Sequence, residues 1–186
     1  LESRGVIERL LEGKNNSKPW HFLKGNHDRM FSWYLKSQPI HDPHLFHGLH
    51  WLHPRMGGAT TLLSYGITLD DTRRSGEIHA EARKKIPETH LNFLNSLDLM
   101  YRTSDLAFVH AGIRPGVPLE SQEENDLLWI REGFIEDTTD HGPLIVHGHM
   151  ALDKPTHFGN RIDLDGGAGT SNIVPYLPLN ELMNKS

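Results

Sequence analysis

Three short apolar segments of the chain each run into a glycine with a polar side chain beside it, and this feature constrains the fold most. The glycines are Gly25, Gly112 and Gly148. Apolar segments of this length, bounded by glycine, are typical of buried strands that enter tight turns. Where helices connect the strands of a sheet, functional side chains gather at the strand ends. The sequence therefore predicts an α/β fold with a site at the ends of three strands.

Hydrophobic periodicity predicts helices mainly in the first half of the chain and short strands in the second. Helices are expected at residues 2–12, 28–36, 58–65, 76–85, 87–97 and 125–134, with Ser3 and Asp28 as caps of the first two. Strands are expected at residues 20–23, 99–101, 106–109, 144–146, 161–164, 173–174 and 176–177. No repeat or linker interrupts this pattern, so we expect a single domain over residues 1–186.

Composition and charge exclude several classes of function. The formal net charge is -5 and the basic residues are scattered, so neither a nucleic acid nor a membrane is an expected partner. The chain has no cysteine, so any metal must be held by His, Asp, Glu or Asn side chains. No apolar run is long enough to cross a bilayer and no secretory signal pattern opens the sequence, which predicts a cytoplasmic protein.

Histidine is unusually frequent, with 14 residues in the chain. Several of them recur at every third position in a proline-rich stretch, residues 39–54, that we interpret as an exposed loop or cap. Such an array could bind an accessory metal, but loop histidines are usually solvated, and we favour that interpretation. The residues are His41, His44, His47, His50 and His53.

The order and spacing of the strand-end motifs resemble those of the phosphoprotein phosphatase family, within the calcineurin-like metallophosphoesterases, and the bacterial serine/threonine phosphatase branch in particular. The motifs are Gly-Asn-His-Asp at residues 25–28, His-Ala-Gly at 110–112 and Gly-His at 148–149. Residues 126–132 and 162–168 also match, so the resemblance covers nearly the whole chain. It implies two mixed β-sheets sandwiched between helices.

The resemblance also implies a pair of divalent metal ions, with manganese expected and iron, zinc, nickel and cobalt as alternatives. Asn26, His110 and His149 would bind one of the two ions. His147 is the competing histidine in the last motif, and the resemblance favours His149. Two ions about 3.5 to 4 Å apart can hold a hydroxide and aim it at phosphorus.

The catalytic roles follow from the same resemblance. His27 would be the general acid that protonates the leaving group, held protonated by a nearby carboxylate. Lys24 and Arg131 would bind the phosphate oxygens. We interpret Asp163 and Asp165, which alternate along a strand, as structural residues rather than ligands.

Two motifs that precede these in the family, Gly-Asp-x-His and Gly-Asp-x-x-Asp-Arg-Gly, do not occur in the sequence. Residues 1–6 resemble the segment that follows the second of them. We therefore expect a truncated domain that lacks its first strand and shows little or no activity as given. The implied parent activity is hydrolysis of phosphomonoesters, with phosphoserine and phosphothreonine in proteins as the expected substrates. The alternatives are a dinucleoside polyphosphate hydrolase and a non-catalytic remnant that acts as a binding module.

Overall fold

The computed structural model describes residues 2–70 and 72–167. The helices in this part of the chain are α1 Ser3–Asn15, α2 Asn26–Tyr34, α3 Gly58–Ser64, α4 Ser75–Lys85, α5 Glu88–Asn95 and α6 Glu124–Trp129, with short 3-10 helices at Pro54–Met56 and Leu119–Ser121. The strands are β1 Met100–Arg102, β2 Leu106–Val109, β3 Leu144–His147, β4 Thr156–His157 and β5 Arg161–Asp163. The chain forms two compact units, the first from Leu1–Phe22 and His27–Leu97 and the second from Leu23–Asn26 and Asp98–Ser186.

The second unit contains a mixed sheet with the strand order β1-β2-β3-β5-β4. Strands β2, β3 and β5 run parallel, while β1 and β4 pair antiparallel at the two edges. The α/β class and the mixed sheet are therefore confirmed. The described residues form one sheet of the two that the resemblance implies.

The register of the parallel strands brings their carboxyl ends to the same edge of the sheet. Phe108 of β2 lies opposite Val146 of β3, and His147 of β3 lies opposite Asp163 of β5. The strands form here because their apolar side chains fill the core between the sheet and the residues that pack on it. That core contains Ala107, Val109, Ile113, Leu127, Phe134 and Ile145, all almost fully buried.

The first unit consists of helices and the histidine-rich loop. Helix α1 packs against α3 and α5. The loop is attached through Trp51, whose ring stacks on Phe31 at a centroid distance of 5.1 Å and also contacts Tyr34 at 4.7 Å. Buried aromatic pairs of this kind carry much of the stability of a small unit. No helix in residues 2–70 or 72–167 has the length and apolar character that crossing a bilayer requires.

Several sequence predictions are wrong in detail. Residues 20–23 do not form a strand, and only Leu23 makes a bridge, to Asp98. Helix α2 begins at Asn26, so Asp28 lies inside its first turn and is not its cap. Helix α1 has no side-chain cap, and Ser3 is its first helical residue.

The remaining differences lie at the ends of elements. The helix predicted at residues 125–134 ends at Trp129. Strand β4 was not predicted, because two residues carry no recognisable alternation. The strands predicted at residues 173–174 and 176–177 lie outside the described residues.

Candidate metal centre

A cleft of about 370 Å³ lies where β2, β3 and β5 end. Its walls come from the last residues of these strands and from the loops that follow them, so the cleft occupies the edge where the sequence predicted a site. The lining residues are Leu23, Phe108, Val109, His110, Val146, His147, Gly148, His149, Leu164, Asp165 and Gly166.

Asn26 and His110 face each other at this edge. Asn26 is almost fully buried, and its Oδ1 accepts a hydrogen bond from Nε2 of His110 at 2.9 Å. The segment before Asn26 is attached to the second unit by the backbone N–H of Lys24, which donates to the carbonyl of Asp98 at 2.8 Å. Two donors bonded to one divalent ion at about 2.1 Å lie about 3 Å apart when they are neighbouring ligands. The side chains of Asn26 and His110 therefore have the spacing of neighbouring ligands.

His149 is placed by an unusual backbone conformation. Its φ is +69°, a left-handed value that a residue with a side chain seldom adopts. This sharp turn after β3 leaves the ring of His149 5.1 Å from the ring of His110, between centroids, in an edge-to-face arrangement. Trp129, which the sequence analysis did not single out, packs edge-on to the same imidazole at 5.8 Å. Strain of this kind persists where the surrounding structure enforces it, often at functional sites.

Arg131 also reaches this cluster. Its Nε donates a hydrogen bond to Nε2 of His149 at 3.2 Å. The Nε2 of His149 is therefore the unprotonated ring nitrogen, the form that binds a metal. The residue predicted to bind phosphate thus lies directly beside a predicted ligand.

His147, the competing histidine, is directed into the protein core. It is 3% exposed, and its Nδ1–H donates to the carbonyl of Gly148 at 3.0 Å. Its Nε2 faces the guanidinium of Arg161 at 3.5 Å, and its ring packs edge-on to Phe134. Burial lowers the pKa of His147 to about 4, so the ring is neutral at physiological pH. With both ring nitrogens engaged, His147 is a structural residue in this geometry, which favours His149 as the ligand.

Asp163, the last residue of β5, and Asp165, in the loop after it, hold the backbone of this loop. Oδ1 of Asp163 accepts from the N–H of Asp165 at 2.8 Å, and Oδ1 of Asp165 accepts from the N–H of Gly167 at 2.7 Å. Burial raises the pKa of Asp163 to about 6. These contacts agree with structural roles, although Asp165 also lines the cleft.

Lys24 and His27 lie on either side of Asn26 along the chain. Nζ of Lys24 is 3.9 Å from Oε1 of Glu124, a long contact that leaves the ammonium weakly paired. His27 belongs to the first unit. Partial desolvation lowers the pKa of His27 and outweighs the opposing charge of Asp28. The resemblance implies a protonated imidazole at His27, whereas this environment favours the neutral one.

The family of the chain follows from its match to a family model. The model of calcineurin-like phosphoesterases matches residues 3–175. The chain belongs to this family. None of the curated proteins is significantly similar to the chain in sequence. Membership of the calcineurin-like phosphoesterases supports a metal-dependent hydrolase of phosphoesters and confirms the superfamily that the motifs resemble, while the phosphoprotein phosphatase branch stays a prediction.

Calcineurin-like phosphoesterases generally bind divalent metals. Asn26, His110 and His149 provide an amide oxygen and two imidazoles, which suit a borderline divalent ion. Among the described residues no group of three or more His, Cys, Asp and Glu side chains is placed to hold a metal. The three side chains that the motifs assign to one ion include no carboxylate, and their role as ligands stays a prediction.

The loop histidines make separate contacts. His44 faces the buried carboxylate of Asp42 at 3.2 Å, and His53 accepts a hydrogen bond from the backbone N–H of Arg55. His50 and His53 pack edge to face at 6.0 Å between centroids. His41, His44, His47 and His50 are exposed and His53 is half-buried.

Proposed function

We propose that this protein hydrolyses phosphomonoesters, with phosphoserine and phosphothreonine of protein substrates as its substrate class, manganese as its metal and the cytoplasm as its location. The observation that carries the proposal is the convergence of Asn26, His110 and His149 at the carboxyl ends of parallel strands, with Arg131 hydrogen-bonded to His149. These are the residues that the motifs assign to metal and phosphate.

The three clustered side chains would hold the metal. When bound, a divalent metal polarises the phosphoryl oxygens and activates water for attack. For Asn26 the donor is Oδ1, which His110 now occupies with a hydrogen bond. For the two histidines the donors are the Nε2 atoms, so His110 must carry its proton on Nδ1 when it acts as a ligand.

Arg131 and Lys24 supply the positive charge for the substrate. The planar guanidinium of Arg131 can donate two parallel hydrogen bonds to phosphate oxygens, a geometry that an ammonium cannot match. Nε of Arg131 now donates to Nε2 of His149. If the Nε2 lone pair of His149 were bonded to a metal, Nε of Arg131 would be available to donate to the phosphate. Lys24 adds a point charge, and its long contact with Glu124 is easily exchanged for a phosphate.

His27 would protonate the leaving alkoxide. Its pKa is lowered in the structure, so the free protein holds it mainly neutral near pH 7. A phosphate dianion nearby favours the charged imidazolium and raises the pKa of a histidine. We therefore propose that the substrate itself brings His27 into its acid form.

A second candidate is a non-catalytic binding module. The observation that favours it is the ligand set, which among the described residues contains no carboxylate and fits one ion. A module of this kind would bind a metal and a phosphorylated ligand without turnover. A dinucleoside polyphosphate hydrolase remains the alternative within the enzymes.

Assays with added manganese separate these functions. The substrates are a phosphothreonine peptide and diadenosine tetraphosphate, each tested with wild-type protein, His149→Ala and the matched loop variant His50→Ala. Release of phosphate from the peptide, lost in His149→Ala and retained in His50→Ala, supports the proposal. Preferential cleavage of diadenosine tetraphosphate would replace it with the alternative enzyme. Metal binding without turnover of either substrate would support the non-catalytic binding module instead.

A further inference from the structure

Arg131 is an exposed arginine whose guanidinium has an imidazole as its partner. Its Nε donates to Nε2 of His149 at 3.2 Å, and both residues belong to the second unit. No carboxylate among the described residues forms an ion pair with this guanidinium. Arginine is best suited to carboxylates and phosphates, which accept two parallel hydrogen bonds from it. Arg131 therefore keeps its positive charge for an anion, although one of its donors is in use.

The imidazole of His149 is held from several sides. Its backbone has the left-handed φ of +69°, and its ring packs edge to face with His110 at 5.1 Å and with Trp129 at 5.8 Å between centroids. Rotation of this ring would break both contacts. The side chain of Arg131 is long and exposed, so it has many rotamers open to it. Arg131, and not His149, is therefore the partner that moves when their hydrogen bond breaks.

The hydrogen bond between these two residues occupies both of the groups that the proposed function needs. Nε2 of a neutral imidazole has one lone pair, so His149 cannot serve Arg131 and a metal at the same time. Nε of Arg131 cannot donate to His149 and to a phosphate oxygen with full strength in both bonds. When either ligand breaks this bond, the other group becomes available. The two binding events are then coupled by the free energy of one hydrogen bond.

We propose that Arg131 and the metal compete for Nε2 of His149, so that the phosphate-binding arginine is held back until a metal is bound. By the same coupling, a bound phosphate engages Arg131 and raises the affinity of the site for the metal. This regulation rests on the proposed function for the identity of the two ligands.

The first test uses inorganic phosphate after divalent metals have been removed with a chelating resin. Isothermal titration measures the phosphate affinity of the wild type, His149→Ala, Arg131→Ala and the double variant. His149→Ala is expected to bind phosphate about 10-fold more tightly than the wild type, because a charged donor is released from its hydrogen bond. The same change made in Arg131→Ala should have no effect, since the double-mutant cycle isolates this pair. His149→Gly, which suits the left-handed backbone, repeats the comparison in case alanine impairs folding.

The second test uses manganese without phosphate. Arg131→Ala is expected to bind manganese about 10-fold more tightly than the wild type, because Nε2 of His149 no longer accepts a competing hydrogen bond. Lys24→Ala is the matched control. It removes another positive charge assigned to phosphate without touching Nε2, and a screened charge of this kind should change manganese affinity less than about 3-fold.

The outcomes separate this proposal from the proposed function. Phosphate affinity that is unchanged, lowered or undetectable in His149→Ala would overturn the competition, as would manganese affinity that does not rise in Arg131→Ala. Equal gains of manganese affinity in Arg131→Ala and Lys24→Ala would also overturn it, because charge alone would explain them. All of these results leave the proposed metal ligands in place if the wild type binds manganese. Failure of the wild type and both variants to bind manganese would contradict both proposals.

Discussion

The histidines of the loop at residues 39–54 and the two histidines of the candidate metal centre differ in the contacts that hold them in place. The loop histidines recur with a regular spacing, but His44 contacts Asp42, His53 contacts the backbone of Arg55, and His50 packs edge to face with His53 at 6.0 Å between centroids. His110 and His149 are 39 positions apart but follow adjacent parallel strands, and their rings lie 5.1 Å apart. Regular spacing in this loop brings together histidines that are close in sequence, whereas parallel pairing of strands brings together histidines that are far apart in sequence.

The largest expected effect is on metal affinity, and it should differ between the histidines of the candidate metal centre and those of the loop. His149→Ala removes one of three proposed ligands, and we expect manganese affinity to fall by more than about 100-fold, since loss of an outer-shell partner alone costs 10 to 100-fold. Isothermal titration of manganese measures this. His50→Ala, a loop variant, should keep the wild-type affinity, and equal losses in the two variants would remove the distinction between them.

The next effect concerns His27. His27→Asn removes the proposed acid, so hydrolysis of an alkyl phosphate should slow about 100-fold while that of p-nitrophenyl phosphate, whose leaving group needs no proton, should slow less than about 10-fold. Steady-state kcat values for the two substrates test this. Parallel losses on both would exclude the acid role. His53→Asn is the loop control and should change neither rate.

Arg131 should matter less than His27 and in a different way. Arg131→Ala removes a charged donor to phosphate, and kcat/KM for a phosphopeptide should fall about 30-fold, as expected for one charge-assisted contact. Arg131→Lys should recover only part of this, because an ammonium lacks the planar pair of donors. Arg102→Ala changes an exposed arginine of β1 and serves as the control. Full recovery with lysine would show that charge alone is used.

The last effect is on stability, not on binding or rate, and it distinguishes His147 from His149. The pKa of His147 is lowered from 6.5 to about 4 in the folded protein, so the unfolded chain binds the extra proton first as the pH falls. The contribution of His147 to stability is complete above pH 6.5 and is lost between pH 6.5 and 4, by about 3 kcal/mol in total. Asp163 acts in the opposite direction, because its raised pKa of about 6 gives stability at low pH that disappears as the pH rises from 3.8 through 6.

Comparison with His147→Leu removes the histidine while Asp163, whose Oδ2 lies 3.9 Å from Nδ1 of His147, is present in both proteins. Urea unfolding without added metal, at several pH values between 4 and 7, gives the free energy of unfolding of both proteins. The difference between them should shrink by about 3 kcal/mol on acidification. A constant difference would mean that His147 is not the buried neutral residue described above.

Much of the site could be predicted from the sequence, because it depends on local patterns. Strand β2 was predicted with the bounds that the structure shows, since Leu106 to Val109 is an uninterrupted apolar run that ends at a polar residue. The convergence of the strand ends followed from parallel pairing. The rule that a short apolar run before a glycine forms a strand failed at residues 20–23. This run makes tertiary contacts instead, such as the edge-to-face packing of Phe22 on Phe93.

Other features depend on tertiary structure and could not be predicted. The left-handed backbone of His149, with a φ of +69°, is one of them, since a residue with a side chain seldom adopts such a value. The desolvation of His27 and the unpaired hydroxyl of Tyr34 result from packing between segments far apart in the sequence. The sequence was sufficient to predict which residues belong to the candidate site and their order along the chain. Their protonation states and hydrogen-bond partners depend on packing in the folded protein.

The central claim is that Asn26, His110 and His149 bind one divalent ion, and imidazole nitrogen resonances test it most directly. One equivalent of Zn²⁺, which is diamagnetic, is added to the protein labelled with ¹⁵N in its histidines. We expect the Nε2 resonances of His110 and His149 to shift together while those of the loop histidines stay in place. A shift confined to the loop histidines, or no shift at His110 and His149, would contradict the claim.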